Sequence, residues 1–185
     1  MKVKAVVPML LCAGLALVSP ARADMPVSAS LMPGVGIQVG GSFGKDFGSS
    51  FYLGSEGEVH WNHDWATGVQ LGYFFGHTDG QELKREFKNL QITPYVKRYF
   101  GITDSWHGYA TAGAGVYFVN YDDDAAVPDV DDSTKRYFGY AAGLGIFKTL
   151  AKNWEIGVDL RLHRIFRQDF VLTTFTPSAV IKVEL

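Results

Sequence analysis

Cysteine is all but missing from this chain: one residue, Cys12, in 185. It lies in a leader that is expected to be removed, so the mature chain should have none. That excludes a disulfide framework, a thiolate nucleophile and a cysteine metal site. Charge is also sparse, with Lys+Arg 17 against Asp+Glu 19, and the lack of a basic excess speaks against a nucleic-acid partner. Long apolar runs are absent except for "AVVPMLLCAGLALV" at 5–18. Lys2 and Lys4 precede that run, and "SPARAD", with the small residues Ala21 and Ala23, follows it. This is the layout of a secretory signal peptide spanning 1–23, cut after Ala23. The run is too short for a spanning helix, and Leu11 before Cys12 does not suit a lipobox. The remainder, 24–185, is long enough for one domain and carries 14 Lys+Arg against 19 Asp+Glu, net −5.

What the chain has in quantity is alternation. The segment "FTPSAVIKVEL" (175–185) places Phe175, Pro177, Ala179, Ile181, Val183 and Leu185 on one face, and the mostly polar Thr176, Ser178, Val180, Lys182 and Glu184 on the other. Period two is the mark of a half-buried strand. Seven more segments show it: 34–44, 51–61, 65–75, 89–100, 106–118, 137–147 and 154–166. In "NLQITPYVKRYF", for example, Leu90, Ile92 and Val96 oppose Gln91, Thr93, Tyr95, Lys97 and Tyr99. Pro94 and Pro177 fall inside strands and are expected to mark bulges, because proline removes a ladder donor.

The links between strands alternate in length. Short ones lie near "NHD", "GITDS" and "KTLAKN"; the longest are "GHTDGQELKRE" and "NYDDDAAVPDVDDSTK". An even strand count with tight turns at one end and larger loops at the other describes an outer-membrane barrel. A soluble sandwich or barrel would show the same alternation, so the aromatics decide. Trp61, Trp65, Trp106 and Trp154 all fall beside the short turns, as an interfacial girdle requires. Phe43, Phe75, Phe87, Phe118, Phe138 and Phe166 crowd the opposite strand ends. The expected fold is therefore all-β: an eight-stranded antiparallel up-and-down transmembrane β-barrel, apolar face to lipid, with its last strand paired to its first so that no edge is left unpaired in hydrocarbon.

The leader together with "GVGIQVGGSFG", "YATAGAGVYF", "YAAGLGIF" and "SAVIKVEL" resembles the outer-membrane protein beta-barrel domain family, the small OmpA- and OmpX-like porin-family proteins of Gram-negative bacteria. The resemblance covers nearly all of 24–185 and rests on patterns, so it implies fold and location rather than activity. It implies a monomer in contact with outer-membrane lipid and lipopolysaccharide, without a cofactor. The final strand resembles the signal read by the barrel assembly machinery, although Leu185 stands where an aromatic is usual.

Four groups of residues stand out as candidate sites. An eight-stranded barrel has an interior that side chains just fill. Glu56, Glu58, His60, Lys97, Asp159, Arg161, His163 and Lys182, all on the inward parity, are expected to form a polar network there, either a plug or a gated ion path. No His-x-Ser pair of the kind used by lipid A acyl-trimming barrels occurs, which argues against an enzyme. The aspartate-rich 122–132 lacks calcium-loop spacing and reads as a solvated acidic loop, with a divalent ion shared with lipopolysaccharide phosphates as the alternative; no metal site is assigned. Lys84, Arg85, Lys88, Lys135, Arg136, Arg164 and Arg167 lie near the long-loop end, where arginine can grip lipopolysaccharide phosphates bidentately. The four tryptophans form the girdle.

Overall fold

A computed structural model describes residues 28–42, 45–78, 85–123, 134–166 and 171–185. The leader, Phe43, Lys84, Arg167 and most of the acidic stretch, 124–132, lie outside the described residues. Eight strands run in sequence order: β1 (Ser28–Ser42), β2 (Lys45–His60), β3 (Trp65–Thr78), β4 (Arg85–Thr103), β5 (Trp106–Asp123), β6 (Lys135–Ala151), β7 (Trp154–Phe166) and β8 (Val171–Glu184). Each pairs antiparallel with its neighbour, and β1 closes on β8. The seam is carried to the end of the chain: the Leu185 amide donates to the Ala29 carbonyl at 2.9 Å.

The period-two faces fall as the sequence predicts. Val35, Leu53, Leu71, Ile92, Val158 and Ile181 point outward and are exposed, while Gln38, Tyr52, Gln70, Gln91, Asp159 and Lys182 point in and are buried. A surface this apolar is stable only against lipid. Polar groups turned inward are stable only if they meet one another.

The short turns have local causes. Asn62 Oδ1 accepts from the amides of Asp64 and Trp65, both at 2.9 Å, so the "NHD" segment folds back on its own side chain. The other two are two-residue turns at Asp104–Ser105 and Lys152–Asn153.

Two expectations need correction. Pro94 and Pro177 are not bulges. Pro94 stays in register opposite Val69, and Pro177 opposite Leu160. Each leaves only a short gap in the ladder on its other side, toward β5 and β1, with the same register resuming beyond it. Glycine makes this possible: a β-carbon at Gly113 would overlap the Pro94 carbonyl oxygen, and one at Gly36 the Pro177 carbonyl oxygen. Among the described residues the register shifts fall elsewhere, at Gln38/Gly40, Phe74/His77, Gly101/Thr103 and Thr149/Ala151. The strands also run further than their alternation suggests. β1 begins at Ser28 rather than Gly34, and β5 continues to Asp123. At the loop end both faces are wet, so β5 goes on pairing after the apolar/polar contrast has faded; in β1 the pattern is blurred instead by Met32, an apolar residue on the inward parity.

Candidate functional site

Three layers of side chains cross the barrel interior. The middle layer carries the charge. Lys97, from β4, is fully buried, with its ammonium 2.9 Å from Glu56 Oε2 and 2.9 Å from Glu58 Oε2, both on β2. Arg161 reaches across from β7: Nη2 pairs with Glu56 Oε1, and Nε lies 2.9 Å from Asp159 Oδ2. Tyrosines complete the layer. Tyr109 donates to Asp159 at 2.5 Å, Tyr95 donates to Glu58 at 3.2 Å, and Tyr99 also donates to Glu58. The Lys97 ammonium sits over the rings of Tyr109 and Tyr95, at 4.6 and 5.0 Å.

Inward glycines give those rings room. A β-carbon at Gly145 would run into the Tyr109 ring, and one at Gly68 into the end of Tyr95. Each glycine is the register partner of its tyrosine on the neighbouring strand. Gly54 and Gly139 likewise make room for the rings of Tyr52 and Tyr117, whereas Gly36, Gly115 and Gly143 face backbone and non-aromatic side chains.

On the long-loop side the interior turns neutral. Phe74 crosses from β3 to meet the His163 ring on β7, with centroids 5.7 Å apart, and Tyr117 Oη lies 3.1 Å from His163 Nδ1. The same Tyr117 joins Val119, Ile165 and Leu172 in a buried apolar cluster. Sequence reasoning passed over Phe74, Val119, Ile165 and Leu172. Parity was the available signal, since each lies on the inward face of its strand.

On the short-turn side His60 stacks on Tyr99 at 5.3 Å, and its Nε2 lies 3.0 Å from Glu58 Oε1. Lys182 lies 3.4 Å from Glu155 and 3.7 Å from Glu184. Here the interior opens into a cavity of about 400 Å³, lined by His60, His63, His107, Glu155, Lys182 and Glu184 among others. Among the described residues no three histidine or carboxylate groups converge as a metal site would need.

The structure thus brings Glu56, Glu58, Lys97, Asp159 and Arg161 into one cluster. It places His163 in the layer above and His60 and Lys182 at the short-turn mouth. Trp61, Trp65, Trp106 and Trp154 are exposed at that same end. Two of them carry a cation from the next strand: Arg98 lies over Trp65 at 5.5 Å, and Lys148 over Trp106 at 5.7 Å. Of the basic residues at the opposite end, Arg136 and Arg164 lie exposed on the outward parity, and Lys135 is exposed at the start of β6. Lys88 is half-buried, and Arg85 opens β4.

The model of the outer membrane protein beta-barrel domain family matches residues 9–180. The chain belongs to this family. As a member of the outer-membrane β-barrel family it shares its fold with several solved barrels. Neisserial surface protein A matches with TM-score 0.67 at 14% identity, over 86% of this chain and 99% of that one. Ail of Yersinia pestis, solved with the heparin analogue sucrose octasulfate, matches with TM-score 0.55 at 17% identity, over 85% and 99%. The outer membrane enzyme PagL matches with TM-score 0.51 at 16% identity, over 83% and 98%. No curated protein sequence matches the chain. At these identities the likeness concerns fold alone, and one fold here serves proteins of different kinds.

In this family member a serine, a histidine and a carboxylate do meet. Ser30 Oγ lies 3.3 Å from His60 Nε2 and donates to Glu58 Oε1 at 2.9 Å. A catalytic triad needs serine and carboxylate on opposite ring nitrogens, so that one is deprotonated while the other steadies the ring. Here both address Nε2. The arrangement supports a closed hydrogen-bonded network better than nucleophile activation.

Proposed function

We propose that the protein is a closed outer-membrane barrel, structural or surface-interacting in role, which acts through its lipid-facing wall and its loop end and not by conduction. In this reading residues 1–23 are removed, and 24–185 is inserted by the barrel assembly machinery. The product is a monomer without a cofactor, set among outer-membrane lipid and lipopolysaccharide. The observation that carries the reading is the Glu56–Lys97–Glu58 and Glu56–Arg161–Asp159 pairing. These side chains come from β2, β4 and β7, so their contacts span the interior. An ion entering would have to separate buried pairs, which costs several kcal/mol by rough estimate. The apolar cluster of Val119, Ile165 and Leu172 adds a second barrier at the loop end.

Planar-bilayer recording of the purified mature chain tests this. A closed barrel gives no steady unitary current above the bare membrane. Regular, salt-dependent current steps would instead establish a small channel and reassign the network as its gate.

A further inference from the structure

We propose that Arg136 and Arg164 form a docking strip for the phosphates of an outer-leaflet lipopolysaccharide; this rests on the membrane-barrel reading above. Arg164 is the unexpected residue. It sits on the outward parity of β7 between Leu162 and Phe166, all three exposed. A charge on that face meets hydrocarbon unless it reaches a headgroup. Among the described residues Arg164 has no ion pair, hydrogen bond or ring partner. Its register partners are Tyr140 on β6 and Thr173 on β8.

Its height explains how it is tolerated. Trp154, in the short-turn girdle, lies ten residues below it on the same strand. Ten residues rise about 33 Å along a strand. At a tilt of about 40° that becomes roughly 25 Å along the membrane normal, about the height of the apolar band of such barrels. Arg164 therefore stands at the far border of the hydrocarbon, where phosphates begin.

Arg136 lies on the adjacent strand, on the same outward face. Tyr140 is level with Arg164, and Arg136 is four residues further toward the loops. That is roughly 13 Å along β6. Its guanidinium rests on the Phe118 ring at 5.8 Å, which holds the planar fork without using its donors. Between the two arginines lie Phe138 and Phe166, stacked at 6.4 Å, an aromatic step at headgroup level just above the hydrocarbon border. Two guanidiniums at different depths suit a lipid that carries more than one phosphate. A singly phosphorylated headgroup satisfies only one of them.

The test uses the mature chain in phosphatidylcholine vesicles doped with radiolabelled bis-phosphorylated lipid A, the same lipid enzymatically dephosphorylated, or phosphatidylglycerol. Lipid that remains with the protein after detergent extraction and gel filtration is counted. The proposal expects lipid A to be retained, with at least a tenfold loss on dephosphorylation, on R136Q/R164Q, or on substitution by phosphatidylglycerol. R164K, which keeps the charge and loses the fork, should fall between. R98Q, at the short-turn end, should match the parent. Equal retention by the double variant or of dephosphorylated lipid overturns the strip. Equal retention of phosphatidylglycerol overturns lipopolysaccharide as its occupant. Each variant is first checked in pure phosphatidylcholine for the heat-dependent gel shift of a folded barrel. Loss of that shift in the parent itself would defeat the membrane-barrel reading, separately from the strip.

Discussion

Removing Arg161 breaks the cross-lumen layer at its most connected point. The residue is buried, at 2% exposure, and pairs with two carboxylates on opposite sides of the interior, Glu56 and Asp159. Arg161→Ala leaves them unequally placed. Glu56 keeps Lys97 at 2.9 Å. Asp159 keeps only the Tyr109 hydroxyl, a neutral donor, at 2.5 Å. One carboxylate is thus orphaned and the other weakened, in an interior with little water to rescue either. Orphaning a buried charge costs about 3–5 kcal/mol, and the loss should fall in that range. Urea unfolding of the vesicle-inserted protein, followed by tryptophan fluorescence, measures it. Arg161→Ala with Asp159→Asn removes the stranded charge and should recover about 0.5–3 kcal/mol, the range of coupling between residues in one network. A loss below about 1 kcal/mol, or a double variant no better than the sum of the singles, would refute the claim that the pairing is structural.

Other perturbations test other parts. Leu71→Arg and Val158→Arg, at exposed apolar positions about half-way up the wall, should each cost about 2–4 kcal/mol in the same unfolding assay. Thr111→Ser, facing inward, should cost almost nothing. Gly145→Val should push aside the Tyr109 ring and with it the Asp159 hydrogen bond, for about 2–4 kcal/mol of overpacking and lost charge-assisted bonding together. N-terminal sequencing of the exported protein should begin at Asp24, and the protein should fractionate with outer membrane; a soluble periplasmic product would contradict both expectations.

The faces of all eight strands were legible because a period-two pattern is local. Tyr95, Lys97 and Tyr99 point the same way whatever they meet. Their partners were not legible. That Lys97 should lie between Glu56 and Glu58, or Phe74 against His163, depends on strand tilt and stagger, which are set by closure of the whole ring. Polar lumen residues were easy to find against an apolar wall, whereas Phe74 and Ile165 were hidden because apolar residues on the inward parity look like lapses in the alternation, and Val119 and Leu172 because they lie just beyond the alternating segments 106–118 and 175–185. The prolines misled for a related reason. A missing donor predicts damage to one ladder, but each strand has two, and glycine on the facing strand absorbs the gap. The loop end of β5 was read short because contrast between the faces disappears where lipid gives way to water, although pairing does not; the start of β1 was read short because Met32 puts an apolar residue on the inward face.

The central claim is a lipid-facing wall around a closed interior, and two adjacent residues on β5 test it together. Thr111 faces inward and is buried, while Ala112 faces outward and is exposed. The chain from Asp24 on carries no other cysteine, so Thr111→Cys and Ala112→Cys each provide a single thiol. In proteoliposomes each is challenged with a lipid-soluble maleimide and with a membrane-impermeant one present on both sides. The account predicts that the thiol at 112 reacts only with the lipid-soluble reagent and that the thiol at 111 reacts with neither. Rapid labelling of 111 by the impermeant reagent would mean an open lumen, and labelling of 111 from lipid with protection of 112 would mean that inside and outside are reversed.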